Sequence, residues 1–111
     1  RSLQIRPYSS GNQLIISGSL LVLAHGLGVE PAFVNAYLVC ILPELGYSIG
    51  DKTPCLIDPG TNRGHSETKD MTNVYIRFGN APKAYSVIRK DTGNGGQATN
   101  VSWNLVVEVF A

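Results

Sequence analysis

The sequence predicts an all-β fold, an antiparallel β-sandwich, and three observations point there. Short apolar runs alternate with period two. Clusters of Gly, Pro, Asn, Asp and Ser interrupt them every ~8–12 residues, marking about seven or eight strands. No segment carries a convincing helical period, and no internal repeat stands out. At 111 residues the chain fits one domain, residues 1–111, large enough for one real hydrophobic core.

The elements follow in order. Leu3-Gln4-Ile5-Arg6 alternates and stops at Pro7, as an edge strand would. Ser9-Ser10-Gly11-Asn12 is a turn cluster, and Gln13 to Ile16 a brief apolar segment broken by Ser17-Gly18-Ser19. Leu20 to Leu42 organises the rest. Its two apolar runs, Leu20 to His25 and Ala32 to Leu42, are too short to span a membrane and rich in Val and Leu. They read as two strands of a hairpin joined by the Gly26-Leu27-Gly28 turn, where glycine accepts a positive φ.

In the second run the even positions Ala32, Val34, Ala36, Leu38, Cys40 and Leu42 are small and apolar throughout and suit a packed core face. The odd positions Phe33, Asn35, Tyr37, Val39 and Ile41 are also mostly apolar, so this strand is expected to be covered on both sides. Pro43 ends it, and Leu45 to Lys52 is a turn-rich excursion. Pro54 to Ile57 reads as a short strand closed by Asp58-Pro59-Gly60, and the polar stretch Thr61 to Lys69 as an exposed loop. Thr72 to Phe78 alternates, with Val74, Ile76 and Phe78 on one side and Asn73, Tyr75 and Arg77 on the other. After the Gly79-Asn80-Ala81-Pro82 turn comes a strand from Ala84 to Ile88, then a flexible loop from Asp91 to Gly96. The last strand, Asn100 to Phe110, puts Val101, Trp103, Leu105, Val107 and Val109 on one face.

Composition narrows the function. Apolar residues make up 43% of the chain and charged residues only 15%, against a typical ~25%. A small β domain with so few charges is expected to set part of its surface against another protein chain. The net charge of +1 supplies no pull toward nucleic acid or an anionic membrane. There is no signal-peptide pattern and no apolar run of ~18 residues, so neither secretion nor membrane insertion is expected. The chain begins at Arg1 without a methionine, as a trimmed product or part of a longer protein would. Cys40 and Cys55 are the only cysteines; two reduced, mostly buried thiols are favoured over a Cys40–Cys55 bridge.

No chemistry-bearing constellation emerges for catalysis or metal. His25 reads as a turn histidine and His65 as a solvated loop histidine, with no further ligands spaced to complete a zinc site. Asp51, Asp58 and Asp70 border turns, where Asp bonds nearby backbone donors. Ser48 and Ser66 lack a nucleophile elbow, and Gly93-Asn94-Gly95-Gly96 is no phosphate-binding loop. The expectation is no enzyme, no cofactor and no metal. Carbohydrate binding fits better: Asn73, Tyr75 and Arg77 share a strand face, and Tyr85 lies near a loop. Such residues can stack on a sugar and bond its hydroxyls, or equally line a subunit interface. Trp103 is expected to be a core anchor, because its neighbours on that face are aliphatic.

The series Leu23-Ala24-His25-Gly26-Leu27-Gly28, Pro31, Tyr37-Leu38-Val39-Cys40 and Gly46-Tyr47-Ser48-Ile49-Gly50-Asp51 resembles a module of bacteriophage and prophage tail fibres and spikes. Asp70-Met71-Thr72-Asn73-Val74 and Trp103-Asn104-Leu105-Val106-Val107 fit the same pattern, so the resemblance spans roughly Ser19 to Ala111. More distantly the chain is similar to the H-type lectins, small sandwiches that trimerise and bind N-acetylgalactosamine-type sugars. That family's sugar-contacting residues find no position-by-position match here. The resemblance implies a homotrimer on a virion assembled in a bacterial cytoplasm. Its partners would be other virion proteins and a host-surface glycan, and Phe33, Tyr37, Val39 and Ile41 would form the subunit interface. The alternative is a structural virion protein, a head decoration or an adaptor of fibre or tail, that binds other virion subunits.

Overall fold

The structure, a computed structural model, describes residues 7–111; the strand expected at Leu3 to Arg6 lies outside them. Among the described residues ten strands form, all paired antiparallel: β1 (Pro7–Ser9), β2 (Gln13–Leu14), β3 (Leu20–Ala24), β4 (Phe33–Cys40), β5 (Lys52–Pro54), β6 (His65–Lys69), β7 (Asn73–Phe78), β8 (Tyr85–Ile88), β9 (Gly95–Ala98) and β10 (Trp103–Phe110). Short 3-10 turns occupy Pro59–Thr61 and Asn100–Ser102, and no α-helix occurs among the described residues. Sheet A has the order β1-β10-β4-β5, with β2 also pairing β10; sheet B is β3-β7-β6; β8 and β9 form a separate hairpin.

The β4–β10 ladder is the longest, running from Trp103 opposite Cys40 to Phe110 opposite Phe33. Its inner pairs are Cys40/Trp103, Leu38/Leu105, Ala36/Val107 and Val34/Val109, and a slip of one residue would turn this whole set outward. Against them stand Leu23, Val74, Ile76 and Phe78 of sheet B and Tyr85, Val87 and Ala98 of the hairpin, all within one buried cluster. Each fully buried aliphatic or Phe side chain there contributes about 1.5–3 kcal/mol. The core alternation expected for Thr72–Phe78 is seen; along β10 it holds except that Val106 is buried as well, and Ala32 and Leu42, which flank β4, are exposed and off the core face expected for them.

The Leu20–Leu42 stretch is not a hairpin. β3 pairs with β7 and β4 with β10, so the two runs belong to different sheets. The link between them is longer than a tight turn and is tied at both ends. The His25 backbone N–H donates to Thr72 O at 3.1 Å, and the Ala32 N–H donates to Phe110 O at 2.8 Å. His25 is buried: its Nδ1 accepts the Leu27 N–H at 3.1 Å, leaving Nε2–H to donate to Asp70 O at 2.9 Å. It is thus a turn histidine, as expected, one that clamps the link to sheet B. Gly26 (φ 65°) and Gly28 (φ 75°) take the expected left-handed conformations.

Other expectations are corrected. The polar stretch Thr61 to Lys69 is no loop throughout, because its second half is β6, an edge strand whose outward face is free to be polar. The strand expected at Pro54 to Ile57 lies earlier. Pro54 lacks an N–H and closes β5, and Leu56 makes only a single bridge, to Ser86. Val101 sits in a 3-10 turn and is 72% exposed, off the core face assigned to it. Gly95 and Gly96 belong to β9 and not to a loop; a Cβ on Gly96 would come within 3.1 Å of Leu45. Pro7, the first described residue, itself lies in a strand, β1, at the edge of sheet A. Cys40 and Cys55 are both free thiols.

Candidate functional site

Along β7, Asn73, Tyr75 and Arg77 point away from the core, as the alternation requires. On the same face stand Ala24, Val22 and Leu20 of β3 and Thr68 and Ser66 of β6, their direct partners in register. The Asp70 turn before β7 fixes Tyr75. Asp70 Oδ1 accepts the Asn73 N–H at 2.7 Å and the Thr72 N–H at 2.8 Å, and Oδ2 accepts the Tyr75 hydroxyl at 2.8 Å. These donors, the backbone N–H of Asn73 foremost, hold the Asp70 carboxyl below its ordinary value. The Asn73 amide in turn donates to the Tyr75 hydroxyl at 3.2 Å.

Tyr85 does not join this group. It is 1% exposed and faces the core at the start of β8, edge-on to Phe78 (6.2 Å) and His65 (5.6 Å). Nor is His65 a solvated loop residue. It is buried, with Nε2 at 2.7 Å from Glu67 Oε2 and Nδ1 at 2.6 Å from the Tyr85 hydroxyl. In the neutral ring, Nε2–H donates to the carboxylate and Nδ1 accepts from the phenol. Burial pushes the Tyr85 hydroxyl upward, which keeps the proton it donates. Cys55 lies beside this group, and desolvation pushes its thiol up to about 12. Burial likewise raises Cys40. Neither thiol has the electropositive surroundings of a nucleophile.

Trp103 is a core anchor: 1% exposed, its indole N–H donates to Glu44 Oε1 at 2.7 Å, and Tyr47 packs edge-on at 5.2 Å.

Two concavities open on the surface. The first, about 510 Å³, lies where β6 begins and β7 ends. Three glycines shape it. Gly18 N–H donates to Gly79 O (3.0 Å), Gly79 N–H to Gly64 O (2.8 Å) and Gly64 N–H to Ala84 O (2.6 Å). A Cβ on Gly79 would collide with the Asn62 carbonyl, and one on Gly64 would stand 2.8 Å from Ile57 Cα. Arg63 and Arg77 line this cavity together with Asn62, Ser66 and Asn80. Sequence reasoning singled out Arg77 and missed Arg63; the Asn62-Arg63-Gly64-His65 run, with a glycine inside a polar stretch, was the available signal.

The second concavity, about 450 Å³, is on the outer face of sheet A, lined by Asn35, Tyr37, Lys52, Pro54 and Glu108. The Lys52 ammonium sits 5.6 Å from the centre of the Tyr37 ring. Of the four residues assigned to a subunit interface, Phe33 is 70% exposed, Tyr37 and Val39 are half-buried on the same side of β4, and Ile41, half-buried as well, lies in the bend after it. Phe110 and Val106 of β10 face the same way, opposite Phe33 and Tyr37. Among the described residues, neither concavity is lined by two carboxylates.

No protein-family profile matches the chain, and no curated protein or solved structure is significantly similar to it.

Proposed function

We propose that this chain is a non-enzymatic binding module, a trimeric β-sandwich of the H-type lectin kind. In this reading it belongs to a phage tail fibre or spike and attaches the virion to host-surface glycan. The virion context rests on the motif resemblance between Ser19 and Ala111. The observation that carries binding is the outer face of β7. There a phenol pinned by Asp70 stands beside an amide and a guanidinium, and the row leads into an open cavity. An aromatic ring for a sugar's C–H face, with hydrogen-bonding groups around it, is the chemistry a saccharide needs. Self-association is supported by the outer face of sheet A, where the apolar Phe33, Tyr37 and Val39 alternate along β4 and Ile41 follows just beyond it.

A glycan array probed with the purified chain, together with phage adsorption on deletion of its gene, tests the reading. Saturable glycan binding and lost adsorption are expected. No glycan hit together with normal adsorption would overturn it.

That outcome would instead favour a structural virion protein bound to other virion subunits. The second reading has its own support in Phe33, 70% exposed, and Leu14, 72% exposed, both on strands of sheet A. It expects tight association with capsid or tail proteins and no adsorption defect.

A further inference from the structure

We infer that the cavity between Arg63 and Arg77 is an oxyanion site, one that takes the carboxylate, sulfate or phosphate group of an acidic saccharide. The inference deepens the glycan-binding reading and rests on it for the word saccharide; the anion site itself stands on geometry. Both arginines line one concavity of about 510 Å³. Among the described residues neither forms an ion pair with a carboxylate, and no Asp or Glu lines the cavity. The chain's other ion pairs show what such groups otherwise do: Arg89 meets Asp91 and Lys90 meets Asp51, each at 2.9 Å.

Arg63 is held in place through its backbone, whose N–H and carbonyl both bond Asp58, at 3.1 and 3.0 Å. Its Nε is buried with no hydrogen-bond partner. Arg77 spends one nitrogen on Gly18 O at 3.1 Å, which fixes its orientation and leaves its other donors without a side-chain or backbone partner among the described residues. Asn62, Ser66 and Asn80 add neutral polar groups to the lining, suited to hydroxyls flanking the charged group. Two arginines on one cavity with no carboxylate in its lining suit a carboxylate, sulfate or phosphate, the groups that arginine's planar fork binds. The glycine row explains how the segments beside the cavity approach so closely, since a Cβ at Gly64 or Gly79 would meet backbone.

The test titrates the purified chain by calorimetry with sodium sulfate, glucuronate and glucose, then with acidic and neutral oligosaccharides. Sulfate and glucuronate are expected to bind saturably and glucose far more weakly, with affinity falling as sodium chloride is raised. Arg77→Gln, an exposed position, and Arg63→Gln are each expected to weaken oxyanion binding about tenfold to hundredfold, with thermal unfolding of Arg77→Gln unchanged. No saturable binding of either oxyanion, or binding insensitive to Arg77→Gln, would overturn the site. Neutral oligosaccharides that bind equally well to wild type and Arg77→Gln would overturn it while sparing the attachment reading. Free oxyanions that bind while no oligosaccharide does would keep the site and remove its saccharide.

Discussion

Trp103 and Glu44 meet at 2.7 Å across fifty-nine positions of sequence, the indole N–H donating to a carboxylate oxygen that also accepts the Thr99 N–H at 2.7 Å. One side chain thereby satisfies two donors that enter the core with the start of β10. Glu44→Ala leaves the buried indole N–H without an acceptor and is expected to cost about 1–3 kcal/mol. Glu44→Gln keeps an acceptor oxygen and should lie closer to wild type. Guanidinium titration followed by fluorescence reads the difference, because Trp103 is the only tryptophan. Equal stability of Glu44→Ala and wild type would contradict the assignment.

The core ladders were legible in the sequence because their residues alternate cleanly. Val74, Ile76 and Phe78, and Trp103 through Val109 at every second position, are all buried. What was not legible was pairing. Nothing local distinguishes a β3 that folds back on β4 from one that crosses to β7; the tie is made by His25 reaching Asp70, forty-five residues away. The site was hidden for a related reason. β6 is an edge strand and His65 is its only fully buried residue, so no periodicity marks it. Arg63 then meets Arg77 only through the backbone bonds among Gly18, Gly64 and Gly79. Tyr85 was misplaced because a tyrosine near a turn looks exposed, whereas here its hydroxyl finds a buried partner in His65.

The outer face of sheet A gives the trimer reading a direct test. Phe33 is 70% exposed within this chain, so Phe33→Asp should leave folding intact, with an unchanged circular dichroism spectrum. A charge placed at an apolar interface is costly, so if the wild type is the proposed trimer, the variant is expected to be monomeric by light scattering. A wild-type monomer at micromolar concentration would remove the interface.

Acid should loosen the Asp70 turn. The carboxyl's folded value is depressed below its ordinary 3.8, first by the Asn73 N–H and then by Thr72 and Tyr75. A depressed value means stabilisation that is complete above the unfolded value and is lost as pH falls through the folded one, below about pH 4. Asp51 and Asp91 are depressed as well and share that window. Asp70→Asn should therefore be less stable than wild type at neutral pH and should show a shallower decline on acidification. Parallel pH–stability curves for the two proteins would contradict this.

Thiol chemistry separates free cysteines from a bridge. Cys40 is fully buried and the Cys55 thiol is pushed up to about 12 by desolvation, so neither presents a thiolate at neutral pH. A chromogenic disulfide reagent at pH 7–8 should react slowly with the native chain and count two thiols once guanidinium is added. A count of zero after unfolding would establish a bridge and refute the free thiols seen here.

Glycine-to-alanine exchange makes the sharpest prediction, because one substitution should have opposite signs at two positions. At Gly79 a methyl group would collide with the backbone carbonyl of Asn62, which is held from the other side by the Ala81 N–H at 3.1 Å. Backbone cannot step aside as a side-chain end can, so Gly79→Ala is expected to cost about 1–3 kcal/mol. It should also weaken sulfate binding, because the junction it displaces carries Arg63 on one side and Arg77 on the other. At Gly95, in β9, a methyl group would meet no atom within 4 Å, and the backbone has no positive φ. There alanine only narrows the unfolded ensemble, and a gain of about 0.4–1 kcal/mol is expected. Guanidinium midpoints for the two variants decide the matter: both shifting downward by the same amount would mean that glycine at the junction is not there for the close approach.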